Sequence, residues 1–226
     1  PGSVDAEARL LDDARSLLEA EASRLRESAA GAAVQTVLRR GQPDDEILSA
    51  SQDAELLVLG AHGQNPLRDM IIGTTAERLL RKAPCPVLVS RAAPEPRYRR
   101  VLVPIDFSEH SERAMRAAAS IAPDADLTAL HVFELPFEGK LWMAGVPDDE
   151  VNRFRAQARA QALRRVLDLA AGIGEAGARF RPHVEQGAAA RSILELAGQL
   201  DADLIVMGRH GKSAAEAFFI GSVTRH

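Results

Sequence analysis

Short runs of hydrophobic residues alternate along the chain with longer stretches in which hydrophobic residues recur every three or four positions. Three of these runs have the length and aliphatic content of buried strands, namely Val101–Ile105, Leu127–Val132 and Leu204–Met207. The stretches between them have the period of an α-helix. Apolar strands that alternate with helices are typical of a parallel sheet covered on both faces, so the pattern predicts an α/β fold.

The same hydrophobic pattern predicts the helices and strands in the rest of the chain. Ser108 is the predicted N-cap of the helix after the strand Val101–Ile105, and Glu112 in its first turn suits the helix dipole. The other predicted elements are helices at Asp5 to about Ser28, from Asp44, Thr74–Lys82, Ser108–Ile121, Asp148 to about Leu169 and Ala189–Leu200, with strands at Val34–Leu38, Leu56–Leu59, Val87–Val89 and Arg179–Glu185.

The chain contains a long internal repeat. The stretch DAELLVLGAHG from Asp53 aligns with DADLIVMGRHG from Asp201, and upstream Gly41 aligns with Gly187. A period of about 150 residues is the size of a whole domain and far exceeds a solenoid repeat. We therefore predict two tandem α/β domains, residues 1–92 and 98–226, joined by a linker that contains prolines.

Each copy lacks a segment that the other has. The opening stretch RRVLVPIDFSEH of the second copy has no partner in the first, and the closing stretch APCPVLVS of the first has none in the second. The first domain thus lacks its N-terminal strand–helix–strand, and the second lacks its C-terminal helix and strand. Because duplications usually preserve whole units, we expect the sequence to be a piece of a longer tandem protein.

Glycines follow the strand Leu204–Met207 in the pattern G-x2-G-x9-G-[ST]. In an open parallel sheet, ligands bind beyond the carboxyl ends of the strands. Glycines there can adopt positive φ and let main-chain N–H groups approach a ligand, and a helix N-terminus after them attracts anions. A turn explains each glycine taken alone, but the whole pattern predicts a phosphate-binding loop. Its members are Gly208, Gly211, Gly221 and Ser222 in the second copy and Gly60, Gly63, Gly73 and Thr74 in the first.

Asp106 follows the strand Val101–Ile105 directly, at the same edge of the predicted sheet. A carboxylate at that edge can accept hydrogen bonds from a nucleoside. It is equally suited to a turn or a cap before Ser108. The residues alone leave both roles open.

Three features together resemble the universal stress proteins in tandem form. They are the glycine pattern after a hydrophobic strand, the opening strand VLVPIDFSE and the closing strand APCPVLV. The resemblance covers essentially the whole chain. It implies a Rossmann-like fold, similar to the adenine nucleotide alpha hydrolases, with an open parallel five-stranded sheet in each of two copies. In the ATP-binding branch of the family, the nucleotide lies between the first and fourth strands.

The resemblance also implies the residues of an ATP site in the second copy. Pro104 and Asp106 would line the adenosine side, and the backbone of Val132 would meet the adenine. The ribose and phosphates would be held by Met207, Gly208, Gly211, Gly221, Ser222 and Val223. The first copy would supply Gly60, Gly63, Gly73 and Thr74, but the strand that would carry its aspartate is absent from this sequence.

Composition and charge exclude several classes of partner. The net charge is −4, which does not favour binding to nucleic acid or to an anionic membrane. The apolar runs are far shorter than the roughly 18 residues that cross a bilayer. A single cysteine, Cys85, cannot form an internal disulfide and fits a reducing compartment. We therefore expect a cytoplasmic protein.

Histidine and basic residues near the glycine patterns each have two possible roles. His62 and His210 lie inside the loops, and Arg209 and Lys212 flank the second one. They either face phosphate or are solvated loop residues. The six histidines lack zinc-ligand spacing, so we expect no metal held by protein ligands. Mg²⁺ would be carried by the nucleotide phosphates.

These observations predict an ATP-binding universal stress protein that acts as a nucleotide-dependent regulator of the stress response or as a chaperone-like module. No residue is evidently placed to activate water, so we expect no catalytic residue and at most slow ATP hydrolysis. The expected partners are an adenine nucleotide and either a second copy of the chain or the other domain. Two alternatives stay open, a dimerisation module that binds no nucleotide and a weak ATPase.

Overall fold

The structure is a computed structural model that describes residues 2–29, 31–60, 74–90, 97–135 and 146–209. Contacts between residues divide the chain into two compact units, Pro1–Ala54 and Glu55–His226. This division falls inside the first predicted copy. The predicted domain limits at residues 92 and 98 are based on the repeat in the sequence. Contacts in space do not test the limits of a sequence repeat, so these limits stay a prediction.

The first unit contains the helices α1 (Gly2–Ser28) and α2 (Pro43–Ala50). Arg26 in the last turn of α1 contacts both the helix and the segment after it. Its Nη1 donates to Glu19 Oε1 at 2.6 Å, and its Nη2 donates to the Val34 carbonyl oxygen at 3.1 Å. The hydrogen bond from Arg26 holds the pKa of the Glu19 carboxyl below its usual value. Arg26 therefore ties the segment at Val34 to α1.

The predicted strand Val34–Leu38 is wrong, because these residues form no strand in the structure. A strand forms through hydrogen bonds with a neighbour, and the described residues of the first unit provide no strand to pair with. Its hydrophobic residues lie largely in solvent, Val37 at 64% and Leu38 at 40% exposure. Local hydrophobicity alone therefore predicted a strand that does not form.

The second unit contains the other described elements, whose bounds agree closely with the predicted ones. They are β1 (Leu57–Gly60), α3 (Thr74–Lys82), β2 (Val87–Ser90), β3 (Arg100–Pro104), α4 (Glu109–Ile121), β4 (Asp126–Phe133), α5 (Asp148–Gly172), α6 (Glu175–Ala178), β5 (Phe180–Gln186), α7 (Ala189–Gln199) and β6 (Leu204–Ile205). The single turn α6 was not predicted, and β6 is shorter than the apolar run that predicted it.

The strands pair in parallel, which confirms the predicted α/β class. Among the described residues, four strands form a sheet in the order β5-β4-β3-β6, and β1 pairs with β2 in a separate two-stranded sheet. The larger sheet grows from β3 through β4 to β5 and then returns to β6 on the other side of β3. The strand order therefore reverses between β3 and β6, where α/β sheets open a crevice for ligands.

The larger sheet is covered on both faces by hydrophobic side chains. On one face, Met115 of α4 and Val166 of α5 are fully buried with Val103 of β3. On the other face, Ile193 of α7 packs with Leu102 of β3. Neighbouring residues of a strand point to opposite faces, so the continuous apolar run of β3 serves both cores.

The backbone repeats as well as the sequence. Gly41 and Gly187, which the repeat aligned, have φ values of +148° and +156°. A Cβ atom at Gly41 would lie 2.7 Å from the Glu46 side chain, and one at Gly187 would lie 3.1 Å from Ser192 Oγ. In both copies, the side chain nearest to the added Cβ atom belongs to the helix that follows. It occupies the same position of that helix, Glu46 in α2 and Ser192 in α7. The two glycines are therefore structurally equivalent.

Met115→Ala tests the importance of the core between α4 and the sheet. Met115 has no exposed surface, so truncation leaves a cavity and should lower the free energy of unfolding by about 2–5 kcal/mol. Urea denaturation measures the change. Ser120→Ala, at an exposed position of the same helix, should change the stability by less than about 0.5 kcal/mol. Equal effects of the two substitutions would contradict this packing.

Candidate functional site

The carboxyl ends of β3 and β6 lie side by side. The two strands pair in parallel, Val101 with Leu204 and Leu102 with Ile205. The segments that leave them therefore start at the same edge of the sheet. This pairing brings four predicted site residues to one edge of the sheet, namely Pro104 at the end of β3, Asp106 just after it, and Met207 and Gly208 after β6.

The first turn of α4 holds the Asp106 carboxylate. Asp106 Oδ1 accepts hydrogen bonds from the Ser108 N–H at 3.0 Å, the Ser108 hydroxyl at 2.6 Å and the Ser111 hydroxyl at 2.5 Å. The Asp106 N–H in turn donates to Ser111 Oγ at 2.9 Å. Ser108 is the N-cap of α4, as predicted, and accepts from the Ser111 N–H. Asp106 thus has the turn role, and its carboxylate is fixed at the crevice.

The Val132 backbone faces the crevice side of β4. The Ile105 N–H donates to the Leu130 carbonyl at 2.8 Å, so Leu130 directs its backbone groups toward β3. Alternate residues of a strand face the same edge, so Val132 directs its N–H and C=O the same way. The ladder between β3 and β4 ends at Pro104 and Leu130. Val132 therefore presents a donor and an acceptor just beyond the end of β3.

An aromatic and cationic stack, formed by Phe107, His131 and Arg165, supports the loop after β3. Phe107 has a left-handed backbone, with φ of 63°, which is uncommon for a bulky residue. Its ring centroid lies 4.2 Å from that of His131 and 4.0 Å from the guanidinium carbon of Arg165. His131 Nδ1 lies 2.9 Å from the Ile105 carbonyl oxygen, to which a protonated Nδ1 donates. Sequence reasoning missed this stack, because no local spacing connects the three residues.

Gly208 packs against the start of α4. A Cβ atom at this position would lie 2.7 Å from the His110 Cβ and 3.1 Å from the His110 carbonyl carbon. The described glycines with positive φ do not include Gly208, so the expectation of positive φ is wrong here. The position requires glycine because the chain after β6 approaches the backbone of α4 closely.

Arg209 contacts α3. Its Nη1 donates to the carbonyl oxygen of Ala83 at 2.7 Å, directly after the last residue of α3, Lys82. A cation at the carboxyl end of a helix is favourable, because the last carbonyl groups lack partners within the helix. Arg209 is exposed, which agrees with the surface role that the sequence left open, and its contact with phosphate stays a prediction.

Much of the glycine pattern lies outside the described residues. These positions are Gly63, Gly73, Gly211, Gly221, Ser222 and Val223, together with His62, His210 and Lys212. In the first copy, Gly60 ends β1 and Thr74 begins α3, which are the places that the pattern predicts for them. The phosphate-binding role of the pattern stays a prediction.

In the parts of the chain that the structure describes, no three side chains of histidine, cysteine, aspartate or glutamate are grouped so as to hold a metal ion. None of the described helices has both the length and the apolar character needed to cross a membrane. Cys85 has a free thiol and is partly buried.

Sequence comparisons agree with the fold and the repeat. A model of the universal stress protein family matches residues 1–91 and 97–226. A universal stress protein of Mycolicibacterium smegmatis is 32% identical over 205 residues, which cover 86% of this chain and 65% of the relative. One of Mycobacterium tuberculosis is 29% identical over 229 residues, which cover 94% of this chain and 72% of the relative. The chain thus spans about two thirds of the length of these relatives.

The fold comparison points to the same class. The crystal structure of a universal stress protein from Archaeoglobus fulgidus superposes with a TM-score of 0.66 at 20% identity, covering 88% of this chain and 68% of that one. The parallel sheets with their covering helices define a Rossmann-like α/β protein. With the family match over nearly all of its length, the chain belongs to the universal stress protein family.

Gly208→Ala tests the close approach of the chain after β6 to α4. The added methyl group meets the His110 backbone and should lower the free energy of unfolding by about 1–3 kcal/mol. Gly198→Ala is the matched control, since a Cβ atom there meets nothing within 4 Å and alanine favours the helix by up to about 1 kcal/mol. Chemical denaturation of both variants checks the difference, and a stable Gly208→Ala variant would refute the steric explanation.

Proposed function

We propose that the chain binds an adenine nucleotide, ATP, in the crevice between the carboxyl ends of β3 and β6, and that it acts as a nucleotide-dependent regulator or a chaperone-like module. Membership of the family supports a role in the stress response. Two observations together carry the proposal. The Asp106 carboxylate is held in place at the edge of the sheet where the strand order reverses, and the Val132 N–H and C=O face the space beyond the end of β3.

The adenosine half of the nucleotide has matching groups on β3 and β4. The N–H and C=O of Val132 form a donor and acceptor pair, which a nucleobase edge can match. The Asp106 carboxylate lies one strand away, where it can accept hydrogen bonds from ribose hydroxyls. Its position is set by Ser108 and Ser111, so little ordering is needed when a ligand binds.

Charge orients the phosphates away from α4. The first turn of this helix carries Glu109 and Glu112, and the Asp106 carboxylate already occupies its N-terminal end. A polyphosphate placed there would meet three carboxylates. The phosphates therefore belong on the β6 side, along the segment that begins at Gly208. The spacing of Gly211, Gly221 and Ser222 fits that role.

The proposal treats ATP mainly as a ligand. Mg²⁺ would enter with its phosphates, as expected for a nucleotide-borne ion. A bound nucleotide changes the conformation or assembly of the protein only if it binds two states with unequal affinity. Hydrolysis, if it occurs, would be slow, because the carboxylate at the crevice is engaged by two serines and is not placed as a free general base.

A second candidate function is an interaction module that binds no nucleotide. It is favoured by one observation, namely that two predicted site residues and the neighbouring Arg209 already have structural partners. The Asp106 carboxylate accepts hydrogen bonds at the start of α4, Gly208 packs on His110, and Arg209 donates to the Ala83 carbonyl oxygen. Each of these residues is thereby explained without a ligand. The two functions differ in their response to nucleotide.

Asp106→Asn separates the two functions in an isothermal titration with Mg-ATP. Asparagine keeps the Oδ1 acceptor that Ser108 and Ser111 use, but it removes the negative charge and one acceptor oxygen. We expect the dissociation constant for ATP to rise about tenfold, the loss of one hydrogen bond to a charged group. Mg-GTP in place of Mg-ATP should bind more weakly, because the Val132 backbone would meet a different base edge.

Asp126→Asn is the matched control for this titration. Asp126 lies at the amino end of β4, remote from the crevice, and forms an exposed ion pair with Arg181. Its substitution should leave ATP binding unchanged. Absence of ATP binding by the unsubstituted chain would support the interaction module instead. ATP-dependent release of phosphate at many turnovers per minute would support the enzyme alternative.

A further inference from the structure

Phe107 occupies a position whose backbone suits a smaller residue. Its φ of 63° lies in the left-handed region, which glycine, asparagine and aspartate adopt far more readily than phenylalanine. A bulky residue persists in this region only where its surroundings hold it. The turn alone therefore does not explain a phenylalanine, and the ring contributes something that a smaller side chain cannot.

Two neighbouring elements and the core hold the Phe107 ring. Its centroid lies 4.2 Å from that of the His131 ring on β4, and the guanidinium carbon of Arg165 on α5 lies 4.0 Å from it. The ring also packs against the hydrophobic core on the α4–α5 face of the sheet. Contacts of both kinds stabilise the position of a ring. Phe107 is therefore fixed relative to β4 and α5 as well as to its own loop.

The Phe107 backbone sets the direction of the Asp106 carboxylate. Phe107 lies between Asp106 and Ser108, and its left-handed turn brings the Ser108 N–H back to Asp106 Oδ1 at 3.0 Å. The Ser111 hydroxyl donates to the same oxygen. The carboxylate at the crevice thus depends on the conformation that the ring contacts maintain.

His131 connects the same ring to the Val132 backbone. His131 joins β4 to the segment after β3, because its Nδ1 lies 2.9 Å from the Ile105 carbonyl oxygen. The next residue, Val132, packs its side chain toward the core on the α7 face and directs its N–H and C=O toward the crevice. The Phe107 ring therefore contacts the part of β4 that presents the Val132 backbone.

Phe107 is thus linked to both groups assigned to the nucleoside. Its own backbone fixes the Asp106 carboxylate, and its contact with His131 fixes the strand at Val132. A ligand that contacts both groups at once gains from a fixed spacing between them, because less ordering is needed on binding. A ligand that contacts only one of the two groups does not gain from that spacing.

We propose that Phe107 is a positioning residue that sets the spacing between the Asp106 carboxylate and the Val132 backbone, and that it thereby selects ligands that carry a base and a ribose together. Arg165 holds the ring from the α5 side. This role rests on the proposed nucleotide site. It makes recognition of the ribose hydroxyls, which would donate to Asp106, dependent on the Phe107 ring.

The test compares Mg-ATP with Mg-2′,3′-dideoxy-ATP, which lacks both ribose hydroxyls, in isothermal titrations of the whole 226-residue chain. The unsubstituted chain should bind the dideoxy nucleotide about tenfold more weakly, the effect of a lost hydrogen bond to a charged group. Phe107→Asn removes the ring, whereas asparagine tolerates the left-handed backbone. This variant should bind ATP about tenfold more weakly and the dideoxy nucleotide nearly as before. A merely structural role would weaken both nucleotides alike.

Two arginine variants repeat the comparison with substitutions on the surface of α5. Arg165→Gln removes the cation over the ring and should lower the ratio of the two dissociation constants about threefold, the effect of an exposed cation–π contact. Arg164→Gln is the matched control, since its side chain lies about 100° around α5 from that of Arg165 and should leave the ratio unchanged. Arg165→Gln also keeps the test decisive if Phe107→Asn does not fold.

The results distinguish failure of the positioning role from failure of the nucleotide site. If the unsubstituted chain prefers ATP, but Phe107→Asn and Arg165→Gln keep that preference, the positioning role is overturned and the nucleotide site stands. The positioning role is also overturned if the unsubstituted chain binds both nucleotides equally, or if Arg164→Gln lowers the ratio as much as Arg165→Gln. If the unsubstituted chain binds neither nucleotide, the nucleotide site and the positioning role are both wrong.

Discussion

The parallel pairing of β3 with β6 determines where the proposed nucleotide site lies. It places the loop after β3 and the loop after β6 at one edge of the sheet, although Asp106 and Gly208 are far apart in sequence. The pairing itself depends on two cores, because the residues of β3 alternate between the α4–α5 face and the α7 face. Hydrophobic packing on both faces therefore fixes the geometry of the crevice.

Residues at the crevice serve the fold as well as the proposed ligand. The Asp106 carboxylate organises the first turn of α4, and Gly208 allows the chain after β6 to lie against that turn. These roles explain the two residues structurally, and they also create a rigid wall that a nucleotide can use. A ligand role and a structural role are therefore compatible at these positions. A substitution can separate the two roles only if it preserves one of them. Asp106→Asn does so, because it keeps the Oδ1 acceptor used by the fold and removes the negative charge proposed for the ligand.

Much of the fold followed from local patterns in the sequence, and the exceptions have physical causes. Periodicity and the Ser108 cap placed most helices and strands, and the repeat aligned Gly41 with Gly187, whose backbones agree. The predicted strand at Val34–Leu38 was wrong because pairing depends on a neighbour that hydrophobicity does not report. At the site, the contact of Arg209 with Ala83 and the stack on Phe107 join residues distant in sequence, and no local spacing signals them.

Helix α5 is connected to the proposed nucleotide site through one contact. Its Arg165 lies over the Phe107 ring beside the crevice. A nucleotide that displaced Phe107 would remove a cation–π contact from α5, whereas one that left Phe107 in place would not disturb the helix. A response of α5 to the nucleotide therefore requires that the nucleotide bind two positions of Phe107 with unequal affinity. Without that inequality, the nucleotide would bind to a sheet and helices that stay as they are.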